Sequence, residues 1–214
     1  MDEALTVRRF WFGAAPLTRE TLAERLALWF GAGVAAQACQ AADLLIRTRF
    51  GPLIAQAAAG GLESWADSPR RRLALILLLD AFPRHAFRGT DRAFATDRAA
   101  LALALSGMQL AADAALTAVE RLFFYLPLQH AEITEAQEES VAAYRRLQRE
   151  APEELGELFA RALADAERRR ELIARFGRFP HRNPALDRAS TPEEQQFLAT
   201  DGGGFLSRGP ASQP

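Results

Sequence analysis

Apolar residues recur along this chain at three- and four-residue intervals and almost nowhere in strict alternation. The clearest case runs from 152 to about 175, where Leu155, Leu158, Phe159, Ala162, Leu163 and Ala166 share one face while arginines and glutamates take the other. That is the period of an amphipathic helix with one face turned to a core. Residues 73–79 are apolar without a break. A run that short fits a buried strand or a buried helix by pattern alone. Its Leu/Ala composition, nearly free of β-branched residues, predicts helix. Ser68-Pro69 supplies the start signal, an N-cap followed by proline at the first helical position, for a helix over 70–80.

The same signals predict helices elsewhere. One begins at Leu17-Thr18-Arg19-Glu20 and runs to about Phe30, and a second spans about 35–59 and ends at Gly60-Gly61. Thr96-Asp97 caps another that ends near Gly107. Thr117 with Glu120, Thr134 with Gln137 and Thr191 with Glu194 have the spacing of capping boxes, in which the threonine hydroxyl and the side chain three residues on satisfy backbone N–H groups reciprocally. Pro127 and Pro180 punctuate helix ends. The sum is an all-α chain of seven to eight helices in antiparallel pairs, arranged as a short tetratricopeptide-like solenoid or an irregular bundle. No 34-residue repeat signature accompanies it. Residues 1–200 read as one helical domain and 201–214, rich in Gly, Ser and Pro, as a flexible tail.

Composition narrows the function more than the fold. A chain of 214 residues supports one sizeable core, and a net charge of -1 argues against a general nucleic-acid binder. There is no lysine, so all 26 basic residues are arginine. Arginine-rich coding explains this by itself, but the chemistry follows regardless. A lysine Schiff base and a Walker-type phosphate loop are excluded, and the residue that remains is the better one for bidentate recognition of carboxylate or phosphate. The single cysteine, Cys39, allows no internal disulfide and no cysteine-cluster zinc site. The opening Met1-Asp2-Glu3 has no basic and then apolar leader, and 73–79 is too short to cross a bilayer, so the expectation is a cytoplasmic protein without membrane contact. No cofactor is implied, and nothing sets an oligomeric state.

The candidate chemistry lies in loops. Residues 175–183 hold three arginines, a histidine, an asparagine, two phenylalanines, a glycine and a proline, where an ordinary turn needs little more than Gly or Pro. Residues 80–89 echo it. The three histidines, His85, His130 and His181, each fall beside such a motif, and none shares a helical turn with another, so no metal site is assigned. Asp80 ends an apolar helix, where a carboxylate is unfavourable unless an arginine such as Arg84, Arg178 or Arg182 offsets it. Asp80, His130, Glu132 and His181 are the candidate acid–base groups. Arg84, Arg88, Arg178, Arg182 and Asn183 are the candidate ligand-binding groups. Phe10, Trp11, Phe12, Trp29 and Phe30, and the run Phe123-Phe124-Tyr125, read as core before they read as a stacking wall.

These motifs carry a resemblance. Phe10-Trp11-Phe12-Gly13, Arg49-Phe50-Gly51-Pro52, Phe82-Pro83-Arg84 after Leu79-Asp80, Phe87-Arg88-Gly89-Thr90, Phe94-Ala95-Thr96-Asp97, Glu120-Arg121, Phe124-Tyr125-Leu126-Pro127-Leu128, His130 with Glu132, Gln137-Glu138, the 175–183 loop and Thr191-Pro192-Glu193-Glu194 stand in one order over nearly the whole chain. In this the chain resembles the bacterial domain-of-unknown-function family 924. The resemblance implies an all-α fold similar to tetratricopeptide-repeat proteins and no established reaction. The chain departs from the family at Ala81, His85 and Arg169, where the family usually has Gln, Asn and His, so a pocket lined by those positions would differ in this member.

Three readings follow. In the first, arginine-, histidine- and Phe-Pro-bearing loops grip an anionic small molecule or a peptide carboxylate in a concave groove. In the second, His130, Glu132, Asp80 and His181 do acid–base work on an acidic substrate. In the third, the same groups only lock helix ends together. Convergence of His130, His181 and Asp80 in a concave pocket would favour the second.

Overall fold

The computed structural model describes residues 2–200 apart from 16, 32 and 34, and the side chain of Arg19 is likewise outside the description. The tail expected over 201–214 lies outside the described residues. All regular structure among them is helical: α1 (Glu3–Phe12), α2 (Arg19–Phe30), α3 (Ala36–Ala58), α4 (Pro69–Leu79), α5 (Ala81–Ala86), α6 (Asp97–Gln109), α7 (Ala118–Phe124), α8 (Leu126–His130), α9 (Thr134–Arg149), α10 (Gly156–Phe176) and α11 (Pro192–Thr200). Only Asp80 separates α4 from α5 and only Tyr125 separates α7 from α8; counted as continuous, the described residues form nine helices. Lengths from 5 to 23 residues make the stack irregular.

α4 is the axis of the fold. Every side chain from Arg72 to Leu79 is buried, which is why the sequence shows no amphipathic period there. α1, α3, α6 and α7 surround it. Arg72 is kept inside by donating to the Leu103 carbonyl at 3.0 Å and to Ser106 Oγ at 2.8 Å. α6 approaches closely because Gly107 lacks a Cβ, which would sit 2.6 Å from the tip of Phe124 and 2.8 Å from Arg72 Cδ. Gly107 is therefore a packing residue, and α6 runs on to Gln109.

α1 was not legible as a helix, because its two arginines and three aromatics mask the period. Asp2 caps it by accepting from the Ala4 and Leu5 N–H groups, and Ala4, Val7 and Trp11 face inward. Two of the three capping boxes form as spaced, at Thr117 with Glu120 and at Thr191 with Glu194. The third does not. α9 has Ile133 as its N-cap, and Gln137 instead turns inward to donate to the carbonyls of Leu128, Gln129 and Ala131 at 3.1, 3.0 and 2.7 Å. The amide satisfies the last carbonyls of short α8, a more demanding need than another N-cap because they are buried. Thr96 also makes no side-chain cap; its hydroxyl donates to the Leu79 carbonyl at 2.6 Å and ties α6 to the end of α4. Replacing Gln137 by Leu orphans those carbonyls, and we expect a loss of about 2–3 kcal/mol in urea unfolding. A loss below about 0.5 kcal/mol would show that other groups satisfy them.

α9 and α10 pack along each other as a hairpin, and α10 lays its Leu158, Phe159 and Ala166 face against the core. A smaller cluster of Leu172, Ile173, Phe179 and Phe197 seats the loop after α10 and the start of α11. No helix among the described residues is long and apolar enough to cross a membrane.

Candidate functional site

The break between α4 and α5 places Asp80 at the centre of the site. Its side chain is almost wholly buried. Arg84, one turn on, reaches back to it at 2.6 Å and makes a two-pronged contact with Asp97 at 2.8 Å on each oxygen. The end of α8 brings His130 to the same carboxylate, with Nδ1 2.7 and 2.8 Å from its two oxygens. Residue 182, from the long arginine loop, completes the cluster. Arg182 donates to Asp97 at 3.2 Å and to the His130 carbonyl at 2.9 Å, with its guanidinium between the rings of Phe94 and Phe179 at 4.7 and 4.6 Å. Loops 85 residues apart in sequence thus meet in space.

The electrostatics follow from burial. Burial first, then the charges of Arg84 and Arg169, depress His130 well below the usual histidine value, so its ring is neutral near pH 7. Burial raises the Asp80 carboxyl while Arg84, Arg182 and Arg169 pull it down. Two donors on its oxygens fit the carboxylate form, and a carboxylate facing Nδ1 fixes the tautomer with the proton on Nδ1 and the lone pair on Nε2. Arg182 falls to about 9, by burial and then by Arg84, so even a guanidinium is strained by this crowding of cations.

His130 and Arg84 open onto a cavity of about 510 Å³ between α2 and α3 on one side and α8, α9 and α10 on the other. Its apolar wall holds Trp11, Trp29, Phe30 and Phe123. Trp29 and Phe123 lie 4.6 Å apart, and the Trp29 indole donates to the Trp11 carbonyl at 2.9 Å. The opposite wall is the polar stripe of α10, Arg161, Asp165, Arg168 and Arg169, at helical spacing. At the α3–α5 edge Asp43 accepts from Arg88 at 2.6 Å and meets His85 Nδ1 at 2.8 Å. Burial works to raise the Asp43 carboxyl, but the bonds from Arg88 and His85 outweigh it and hold the group at about 2.

The sequence candidates divide. Asp80, Arg84, His130 and Arg182 form one cluster, and Arg88 lies on the cavity rim with His85. Glu132, Arg178 and Asn183 belong to a second cluster that does not line the cavity. Glu132 accepts from the Phe179 N–H at 2.8 Å and is gripped by Arg188 at 2.7 and 3.0 Å. Arg178 and Asn183 both hold Glu194, at 2.7 and 3.2 Å. His181 packs on the Phe179 ring, outside the lining of the cavity. Burial, then Arg182 and Arg169, push it down to about 3. Among the described residues no group of three His, Cys, Asp or Glu gathers as metal ligands.

Sequence reasoning passed over Asp43, Arg161, Asp165 and Arg168. The α10 stripe had a signal, since 161, 165, 168 and 169 recur at i, i+4, i+7 and i+8, but a charged helix face ordinarily points to water. Asp43 had none. Ala81, His85 and Arg169, the positions where the resemblance leads one to expect other residues, all line the cavity.

An irregular helical stack with a buried Asp–His–Arg cluster beside an aromatic and arginine-walled cavity defines the class. The chain belongs to the family of bacterial proteins of unknown function DUF924, whose model matches residues 7–202. A solved protein of unknown function from Agrobacterium tumefaciens is similar, with 35% identity and a TM-score of 0.74, over 92% of this chain and 96% of that one. No curated protein matches the chain.

Proposed function

We propose that this protein binds a small anionic molecule with an apolar body in the cavity between α2–α3 and α8–α10. One observation carries the reading: among the described residues Arg84, Arg88, Arg161, Arg168 and Arg169 line the cavity with two carboxylates, Asp43 and Asp165, facing a bank of aromatic rings. Arg84 and Arg88 are held in place by Asp80, Asp97 and Asp43. With the arginines of α10 they present a donor-rich, positively charged face to a carboxylate or phosphate. A cavity of about 510 Å³ suits a metabolite-sized ligand better than a peptide. Free Cys39 on its wall suits a reducing, cytoplasmic setting.

A second reading has its own observation. The Asp80–His130 pair is the arrangement that orients a general base, with Nε2 as the proton-accepting atom. In this reading a bound acid is turned over, and His130→Gln abolishes turnover while binding survives. Glu132 and His181 stand outside the cavity and serve the loop.

The binding reading is tested by thermal shift and calorimetry against a panel of small aryl and alkyl carboxylates and phosphates. We expect at least one aryl acid to raise Tm and bind with micromolar to millimolar Kd, and the double substitution Arg161→Glu with Arg168→Glu to weaken it by roughly a hundredfold. Arg178→Ala is the control: it lowers Tm by releasing Glu194 and leaves affinity unchanged. Binding that survives the double substitution, or no binding by any acid at 10-fold above about 1 mM, would overturn the reading.

A further inference from the structure

α6 carries its side chains in an unusual order. Its buried face holds small residues, Ala100, Ala104 and Gly107, which let it lie close to α4. Leu101, Leu105 and Met108, one position further round at i, i+4 and i+7, stay half-buried. A helix on a core ordinarily keeps its bulkiest apolar residues innermost and polar ones beside them. Close packing on α4 explains the small residues and leaves the three large ones without a reason.

Those three floor an open groove of about 590 Å³ between α6 and the first turns of α9, together with Ile133. The rim is acidic: Asp113, Glu135 and Glu139 stand there with one cation, Arg146, among the described residues. Asp113 accepts from the Tyr125 hydroxyl at 2.5 Å. Glu135 and Glu139 are exposed, lie at i, i+4 on α9, and have no hydrogen-bond or ion-pair partner among the described residues. Like charges at that spacing repel within a helix and favour a cation brought from outside.

The same chain exposes the complement. The exposed large apolar side chains among the described residues are Leu5, Leu44, Leu45, Leu110 and Ile133. Ile133 lies in the groove, and Leu110 directly follows its α6 wall. Leu44 and Leu45, 54% and 49% exposed, sit midway along α3. Around them the exposed surface of α3 is uncharged or basic. Ala38, Ala41 and Thr48 continue the Leu45 line at helical spacing, and Arg47, without a partner among the described residues, flanks it. The one acid of α3, Asp43, is held by Arg88 and His85. α3 is thus a basic apolar ridge, and the α6–α9 groove is an acidic apolar trough. α3 and α6 are both fixed on α4, so ridge and trough meet only between copies.

We propose that copies of this chain assemble head to tail, with α3 of one copy seated in the α6–α9 groove of the next. Leu44 and Leu45 enter among Leu105, Met108 and Ile133, and Arg47 pairs with Glu135 and Glu139. This is the helix-in-groove mode, with apolar anchors on one helix face and charges at the margin. The two surfaces differ, so the contact is heterologous. It closes into a ring or extends as a chain of copies and does not stop at a two-fold dimer.

Sedimentation velocity of the full chain over rising concentration tests this. We expect masses above the monomer from about 10–100 µM, falling back as salt rises. Two double variants change only exposed residues: Glu135→Lys with Glu139→Lys in the groove, and Leu44→Ser with Leu45→Ser on α3. A thermal melt followed by circular dichroism confirms that each is folded. Each variant alone should be monomeric, with assembly weakened at least roughly a hundredfold. Mixed, the two should form a one-to-one dimer and nothing larger, because the first keeps an intact α3 and the second an intact groove. An unmodified protein that stays monomeric at about 0.5 mM overturns the proposal. Assembly that persists in either folded variant also overturns it, since the contact then lies elsewhere. A mixture of the two variants that stays monomeric overturns the pairing of α3 with the groove.

Discussion

Asp80→Ala unfolds far more readily than the unmodified protein, by about 3–5 kcal/mol in urea, which for a chain of this size is a drop in Tm of roughly 10 °C. The reason is the company the carboxylate keeps. Asp80 is buried, Arg84 binds it at 2.6 Å, and Arg182 and Arg169 lie close enough to pull on its proton. Asp97 is left alone to balance Arg84 and Arg182 when it goes. Removing one member of a buried charge cluster strands the others without water, and that cost exceeds what the pair itself contributed. Asp80→Asn keeps the shape and a carbonyl acceptor, so it should cost less than the alanine. A loss below about 1 kcal/mol for Asp80→Ala would mean that the arginines find solvent or other partners, and that the cluster does not hold α4, α5, α8 and the 175–183 loop together.

Acid should destabilise the protein earlier than its carboxylates alone would require. His130 and His181 have folded-state values below the ordinary 6.5, His181 at about 3. In the unfolded chain both take up a proton as pH falls through 6.5, while in the fold they stay neutral. Their contribution is complete above that pH and is lost progressively as pH falls toward 3, at up to about 1.4 kcal/mol per pH unit for each histidine. The raised Asp80 carboxyl works the other way and offsets part of the slope. Asp43 and Glu194, both held at about 2 by their arginines, add their own loss only at lower pH, where free carboxylates begin to protonate. Urea unfolding between pH 7.5 and 5 should therefore slope downward, and His181→Phe should flatten it. A stability flat from 6.5 to 5 would show that both rings reach solvent in the fold.

Much of the helical architecture was legible because its causes are local. The face of α10, the proline that opens α4 and the boxes at Thr117 and Thr191 each act within a turn or two of chain. The side chains of Gln137 and Thr96 differ from expectation for the complementary reason, although Thr96 does hold the N-cap position of α6. Gln137 had Thr134 at capping-box spacing and Thr96 had the first backbone N–H groups of its own helix, yet each side chain took a more distant carbonyl, a need that only the assembled fold creates. The site shows the same division. Asp80 asked for an arginine from its position at a helix end, and Arg84 answers it one turn on. That Asp80 would choose His130, and that Glu132 two residues later would face away toward Arg188, depends on where α8 stops, which no spacing announces. The α10 stripe reads as solvated until α2 and α3 are placed opposite it.

The central claim is that the cavity receives an anion on its arginine stripe with an apolar body on its aromatic wall, and locating a bound acid tests it most directly. A crystal structure with a bound aryl carboxylate should show the carboxylate among Arg161, Arg168 and Arg169 and the aryl ring against Trp29 and Phe123. Density for the acid elsewhere on the surface, or a cavity holding only water at a concentration that saturates binding in solution, would contradict it.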